Sequence, residues 1–311
     1  MILIIDFGSQ YNQLIARRVR ETRVYCQIAP PSIDIQTVRK LNPEGIILSG
    51  GPAGVYEKNS PKADPAVFEL GIPVLGICYG MQFMVHTLGG TVKRSPKREY
   101  GFAQLNIEDA AGIFKGVRQR TTCWMSHGDS SVKLPSGFVT TASTDNTAIA
   151  AIAHRDRRLY GLQFHPEVVH TPLGRKMLQN FLIGICACKR SWTMKSFARE
   201  TIDEIRENVD GKKVILGLSG GVDSSVAAVL IHQAIGKNLT CIFVDNGLLR
   251  KNEADKLKIT LKQHLDLNIR FVSAKAVFLK ALKGVTDPER KRKIIGKLFM
   301  DVFEKEASKI K

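Results

Sequence analysis

Val214 to Leu218 is an apolar run that passes straight into Ser219-Gly220-Gly221-Val222-Asp223-Ser224-Ser225 and then into a helix-patterned stretch through Ile231. That order of strand, glycine loop and helix constrains the chain to an α/β arrangement around the loop. Small residues let successive backbone N–H groups converge on an anion, with the positive end of the following helix behind them. The Gly-Lys-Ser/Thr ending of an ordinary P-loop is missing, so no loop lysine reaches a γ-phosphate. Asp223 stands there instead, a Mg²⁺-type carboxylate with hydroxyls on both sides. The set fits an ATP loop in which the nucleotide is split between its α- and β-phosphates to adenylate a substrate. A glycine-rich turn opening an ordinary helix is the plainer alternative. The agreement of serine, two glycines, Asp and two serines in order weighs against it.

The chain has 311 residues, enough for two domains with separate cores, and its 44% hydrophobic and 24% charged residues are those of a globular protein. Met1-Ile2-Leu3-Ile4-Ile5-Asp6 reads as a buried strand with no basic lead and no cleavage site, and no apolar stretch is long enough to span a bilayer. A cytoplasmic location without membrane partners is therefore expected. Six scattered cysteines fit that compartment, and Cys186 with Cys188 lacks the second pair that a zinc site needs. The formal charge of +17 and the cluster Arg290-Lys291-Arg292-Lys293 raise nucleic acid as a partner. No base-stacking aromatics interleave that cluster, so small anionic ligands are the preferred explanation.

Short apolar runs alternate with amphipathic segments along the chain. Met1 to Ile5, Gly45 to Leu48 and Pro73 to Ile77 are continuous and β-rich, as in strands buried on both faces of a parallel sheet, with helical spacing over Gln10 to Glu21 and Gly80 to Leu88. After Gly89-Gly90 the runs shorten through Gly161-Leu162-Gln163-Phe164, and Leu173 to Cys186 reads as a closing helix. Lys189-Arg190-Ser191 is the linker, and a new helix starts at Trp192 and runs to about Asn208. Strands over 214–218, 240–244 and 269–272 alternate with helices over 253–264 and 275–283, followed by a charged segment to the end. The fold expected is α/β in two domains, 1–190 and 192–311, each a mostly parallel sheet flanked by helices.

A second constellation sits at Gly76-Ile77-Cys78-Tyr79-Gly80-Met81-Gln82, where a buried strand meets a helix. A residue in such a turn is lifted out in a strained backbone, and flanking glycines permit the close approach. The helix N-terminus favours the thiolate that attacks carbonyl carbon. A lone cysteine is more often a small buried hydrophobe, but here a candidate base exists in Gln163-Phe164-His165-Pro166-Glu167. Residues two apart in extended chain face the same way, so Glu167 can orient the His165 imidazole and complete a Cys-His-Glu triad. His86, His154 and His170 lack such a companion and are read as structural. An oxyanion hole needs aimed N–H groups. Tyr79 supplies one, and Gly51, in the turn Ser49-Gly50-Gly51-Pro52, the other, because strand C-termini gather at one edge of a parallel sheet.

Together these residues resemble the class I (triad) glutamine amidotransferases. Ile5-Asp6-Phe7-Gly8-Ser9-Gln10-Tyr11, Trp124-Met125-Ser126-His127-Gly128-Asp129, Phe243 to Arg250 and Asp287 to Gly296 narrow the resemblance to the members that couple the amidotransferase to an ATP pyrophosphatase domain and aminate a purine nucleotide. The resemblance implies a flavodoxin-like amidotransferase domain, then a partial Rossmann-like ATP pyrophosphatase domain. It also implies glutamine, ATP with Mg²⁺, and XMP as reactants, with ammonia freed at Cys78 displacing AMP to give GMP. By motif match, residues 219–225 hold the ATP phosphates, Asp223 helps hold Mg²⁺ and Val244 touches adenine. Gly50 and Gln82 lie near the glutamine. His127 and Asp129 fall at the domain boundary, and Thr286 to about Phe303 forms a lid whose basic residues close over pyrophosphate.

Family members continue beyond that lid with the rest of the ATP domain and a dimerisation domain that binds XMP. A homodimer is therefore expected of the full-length family rather than of this chain, and an incomplete XMP site is expected here. Two other readings compete. An RNA-modifying enzyme of the tRNA-thiolation kind shares such an ATP loop and suits the positive charge, but leaves Cys78, His165 and Glu167 without a purpose. A non-catalytic module would dock on a partner and release no glutamate.

Overall fold

The computed structural model describes residues 1–250, 259 and 267–310, in two compact units, Met1–Thr193 and Met194–Lys311. The helix expected over 253–264 lies, except for Ile259, outside the described residues.

Unit 1 is built on nine strands in the order β2-β1-β3-β4-β9-β8-β7-β5-β6. Its parallel half is β1 (Ile2–Ile5), β2 (Cys26–Ala29), β3 (Gly45–Leu48), β4 (Val74–Ile77) and β9 (Leu159–Leu162). Alternation along these strands divides their apolar residues between two cores. Ile2, Ile4, Leu75 and Ile77 join Ile15, Val19, Met177 and Phe181 on one face, while Leu3, Ile5, Leu48 and Val74 join Val38, Met81 and Met84 on the other. The covering helices are α1 (Asn12–Glu21), α2 (Ile35–Leu41), α3 (Tyr79–Thr87) and α4 (Gly174–Gln179).

The region of shorter runs after Gly90 is an antiparallel extension: β5 (Thr91–Ile107), β6 (Arg120–Lys133), β7 (Val139–Ser143) and β8 (Ala151–His154). The closing helix expected over 173–186 is α-helical only to Gln179. Asn180–Ile185 widens into a π turn in which the Cys186 N–H donates to the Phe181 carbonyl at 2.8 Å. Trp192 does not begin a helix. Its N–H donates to Arg23 O at 2.9 Å, and the Arg20 guanidinium lies over its ring.

Unit 2 holds a parallel sheet β10 (Val214–Gly217), β11 (Leu239–Asp245) and β12 (Ile269–Ser273), ordered β10-β11-β12. Its described helices are α5 (Met194–Val209), α6 (Val222–Ile235), α7 (Lys275–Leu282) and α8 (Pro288–Ala307). The segment likened to a lid is therefore a 20-residue helix. Asp287 caps it by accepting the Arg290 N–H at 2.7 Å, and Pro288 stands in its first turn. Ile295, Leu298, Phe299, Val302 and Phe303 recur at helical spacing and pack against Ile242, Val244 and Phe278. Arg290 to Lys293 lie on its exposed side. Among the described residues no helix is long and apolar enough to cross a membrane.

Candidate active site

β4 ends one residue before Cys78, and α3 begins one residue after it. Cys78 has φ +51°, a left-handed conformation that costs an ordinary residue about 1–3 kcal/mol. Two features hold it there. Its N–H donates to Leu162 O at 2.7 Å. Gly76 and Gly80 are also in van der Waals contact: a Cβ on Gly76 would fall 2.6 Å from the Gly80 carbonyl carbon and the Met81 nitrogen. The cysteine is 6% exposed.

His165 follows β9 and is braced from three sides. Its N–H donates to Trp124 O at 3.0 Å, its carbonyl accepts the Thr171 hydroxyl at 2.7 Å, and Tyr11 meets its ring edge-on. Nδ1 lies 2.8 Å from Glu167 Oε1. Glu167 is fully buried, and its second oxygen, Oε2, makes no hydrogen bond. Arg18 of α1 donates Nε–H to the Glu167 carbonyl at 2.8 Å and so fixes that backbone. Burial opposes charge on His165, but the Glu167 carboxylate and the hydrogen bonds to Cys78 and Glu167 outweigh it and hold the imidazole well above its usual range. An imidazolium is thereby favoured beside the sulfur.

Glu167→Gln keeps the shape and removes the charge that sustains that cation. Turnover that depends on Cys78 is expected to fall about tenfold or more at neutral pH, with the alkaline limb of its pH profile moved down by about one unit. Initial rates from pH 5 to 10 measure both, and an unchanged profile would exclude an electrostatic role for Glu167.

Gly50 fits between base and nucleophile: a Cβ there would stand 3.2 Å from His165 Cε1 and 3.8 Å from Cys78 Cβ. Gly51 approaches Tyr79, with the corresponding point 3.2 Å from Tyr79 Cγ and 2.7 Å from Phe7 O. Tyr79 opens α3, where first-turn N–H groups have no intrahelical acceptor. Its side chain is buried, with the hydroxyl donating to Pro61 O at 2.6 Å, so only its backbone is available to the site. Gln82 reaches the site, but its amide already donates to Asp129 O at 2.9 Å and Gln163 Oε1 at 3.1 Å. His127 and Asp129, expected at the domain boundary, sit in the wall of the site within unit 1.

A cavity of about 730 Å³ opens over Cys78 and His165. Gly51, Gln82, His127 and Asp129 line it, as do Arg94, Arg98, Tyr56 and Tyr100, which sequence reasoning missed. Arg94 and Arg98 come from β5, whose pairing with β6 is interrupted between Arg94 and Glu99. Such a bulge turns side chains out of the regular alternation, and no local pattern announces it.

In unit 2, β10 leads through the buried Leu218 into the loop. Gly220 has φ +81°, and Gly221 caps α6. Ser219 Oγ lies 2.8 Å from Ser224 Oγ and accepts the Gly221 N–H at 3.3 Å. Ser224 and Ser225 donate their hydroxyls to Gly221 O at 3.1 and 2.9 Å. Val222 is 78% exposed, and Asp223 occupies the first helical turn. Val244 is at the same edge of the sheet, two residues beyond Ile242, whose carbonyl accepts the Leu218 N–H. Its side chain, however, is packed into the core with Phe278. Among the described residues no group of three His, Cys, Asp or Glu forms a metal site.

An elbow cysteine, a histidine–glutamate pair and a glycine turn at one sheet edge are the arrangement of a triad amidotransferase. The profile of the glutamine amidotransferase class-I family matches residues 3–185, and the chain belongs to that family. The profile described as NAD synthase matches residues 194–295. The chain is 56% identical over 310 residues to the glutamine-hydrolysing GMP synthase of Acetivibrio thermocellus and 54% identical over 309 residues to that of Carboxydothermus hydrogenoformans. It is covered 100% and 99% in these matches and spans 61% of the length of each relative. The crystal structure of a candidate GMP synthase subunit from Thermoplasma acidophilum superposes with a TM-score of 0.55 at 32% identity, over 60% of this chain and 93% of that one.

Proposed function

We propose that unit 1 hydrolyses glutamine at Cys78, and that the ammonia serves amination of XMP to GMP at a site served by the loop of residues 219–225. The carrying observation is Cys78 held in a strained elbow beside the His165–Glu167 pair, on a cavity large enough for an amino acid. His165 takes the Cys78 proton, and the sulfur attacks the side-chain amide carbon of glutamine. The N–H groups of Gly51 and Tyr79 receive the developing oxyanion. Collapse breaks the carbon–nitrogen bond, His165 returns its proton to the departing ammonia, and a γ-glutamyl thioester remains. Water then gives a proton to His165 and attacks the thioester, releasing glutamate and restoring the thiol. Gly50 leaves the space that the substrate amide needs.

In unit 2 the N–H groups at the start of α6, with the helix dipole behind them and the hydroxyls of Ser219, Ser224 and Ser225 beside them, would receive an anion. Mg²⁺, when bound with ATP, neutralises phosphate charge. A single carboxylate suits it, because Mg²⁺ is commonly held by one or two carboxylates with substrate phosphates and water. Asp223 is that carboxylate, and Val244 offers its backbone edge to the base. Release of glutamate from glutamine by the chain tests the first half. For the second, titration with Mg-ATP is expected to show binding weakened about tenfold or more by Asp223→Ala. Equal affinity in the variant would remove Asp223 from the nucleotide site.

A further inference from the structure

Gln163 is fully buried, immediately after β9 and two residues before His165. Its Nε2 donates toward Cys78 Sγ at 3.7 Å, while its Oε1 accepts the Gln82 amide at 3.1 Å. Gln82 gives its other bond to Asp129 O at 2.9 Å, and the same carbonyl lies 2.8 Å from His127 Nδ1. His127 is in turn the cross-strand partner of Glu99, with Nε2 3.7 Å from Glu99 Oε2. Glu99 accepts the hydroxyls of Thr144 at 3.1 Å and Thr147 at 2.6 Å. Thr147 Oγ, 3.4 Å from His127 Nε2, bridges the gap between His127 and Glu99, so polar contacts link a buried carboxylate on β5 to the sulfur.

The direction of each bond follows from its neighbour. A carbonyl can only accept, so Asp129 O requires an N–H from both His127 and Gln82. Gln82 then presents N–H to Gln163, which must turn its oxygen to Gln82 and its nitrogen to the sulfur. The alternative flip would set two donors against each other and an acceptor against Cys78 once ionised.

From this geometry we propose that Gln163 is a positioning residue that holds a hydrogen-bond donor on the Cys78 thiolate, its orientation imposed by the Asp129 carbonyl through Gln82. The proposal rests on Cys78 being the nucleophile. It assigns the sulfur a second partner besides His165. A hydrogen bond to an anion is roughly twice as strong as one between neutral groups, so the donor favours the thiolate over the thiol. The other ionisable groups facing Cys78 are His165 backed by Glu167, His127 and Asp129 from β6, Arg94 and Arg98 from β5, and Glu57 before β4. All stay in place when Gln163 alone is changed.

The test is the rate of Cys78 alkylation by iodoacetamide from pH 5 to 10 in Gln163→Met, which keeps the volume and loses the donor, and in Gln82→Met, which frees Gln163 to turn. Both are expected to react about tenfold more slowly at neutral pH. In the unaltered protein, the Gln163 side-chain amide signals in a ¹⁵N-labelled sample should shift on alkylation of Cys78. That measurement survives any failure of a variant to fold. Superimposable profiles in folded variants, or amide signals indifferent to Cys78, would overturn the assignment. Alkylation does not require glutamine turnover. A chain that alkylates with the expected shifts yet releases no glutamate would refute the glutaminase reading while leaving the Gln163 contact standing.

Discussion

Cys78→Ala is expected to lower glutamate release from glutamine by about four orders of magnitude or more, because it removes the only atom that can form the acyl intermediate. The same change should abolish covalent capture of a diazoketone analogue of glutamine. Selectivity for Cys78 follows from the surroundings of the other thiols. Burial pushes Cys123 up to about 12 and Cys241 up to about 11, and it raises Cys26 as well. A hydrogen bond donated to Cys188, with burial, raises Cys186. These side chains are sealed in the cores, whereas Cys78 faces the cavity. The fold should tolerate the change, since alanine accepts the same backbone strain and leaves the Gly76–Gly80 contact untouched. Peptide mapping of the labelled chain, with glutamate assays on both proteins, decides the matter. A label on another cysteine, or hydrolysis persisting in the variant, would end the proposal for Cys78.

The sequence already carried much of this site, and for physical reasons. The histidine–glutamate pair expected from the sequence is present, with Nδ1 2.8 Å from Oε1, but a turn at Pro166-Glu167 rather than period-two alternation of an extended chain brings the two side chains together. Gly-x-Cys-x-Gly after an apolar strand spelled out the elbow because only glycines allow strand and helix to touch there. Gly50 and Gly51 could be set near Cys78 because parallel strands bring their C-termini to one edge. Arg94, Arg98 and Glu99 were hidden, since a bulge in β5 aims them and a bulge has no local signature. Gln163 had no role readable from its motif, because its purpose depends on Gln82, 81 residues earlier, and on the Asp129 carbonyl that orients Gln82. The charged run 290–293 invited reading as a lid. Its apolar partners at 295, 298, 299, 302 and 303 instead make one stripe of a helix packed on the sheet.

Gly80→Ala is expected to be among the most damaging single-methyl changes in unit 1. A Cβ on Gly80 would meet the Leu48 carbonyl oxygen and stand 2.7 Å from the Leu48 carbonyl carbon and Cβ. The obstacle is the backbone of a central strand rather than the end of a flexible side chain, so the clash is relieved only by separating α3 from β3. Overpacking of that kind costs about 3 kcal/mol, which for a unit of 193 residues lowers the unfolding midpoint by about 10 °C. The displacement also propagates to the site, because Leu48 immediately precedes Ser49-Gly50-Gly51 while α3 carries the Tyr79 N–H. Glutamine hydrolysis should therefore fall even at temperatures where the variant remains folded. Gly184→Ala is the matched control, since nothing lies within 4 Å of its Cβ position, and it should stay within about 0.5 kcal/mol of the parent. Differential scanning calorimetry on the three proteins measures the difference. A Gly80→Ala chain that melts alongside the control would show that the elbow does not depend on contact between α3 and β3.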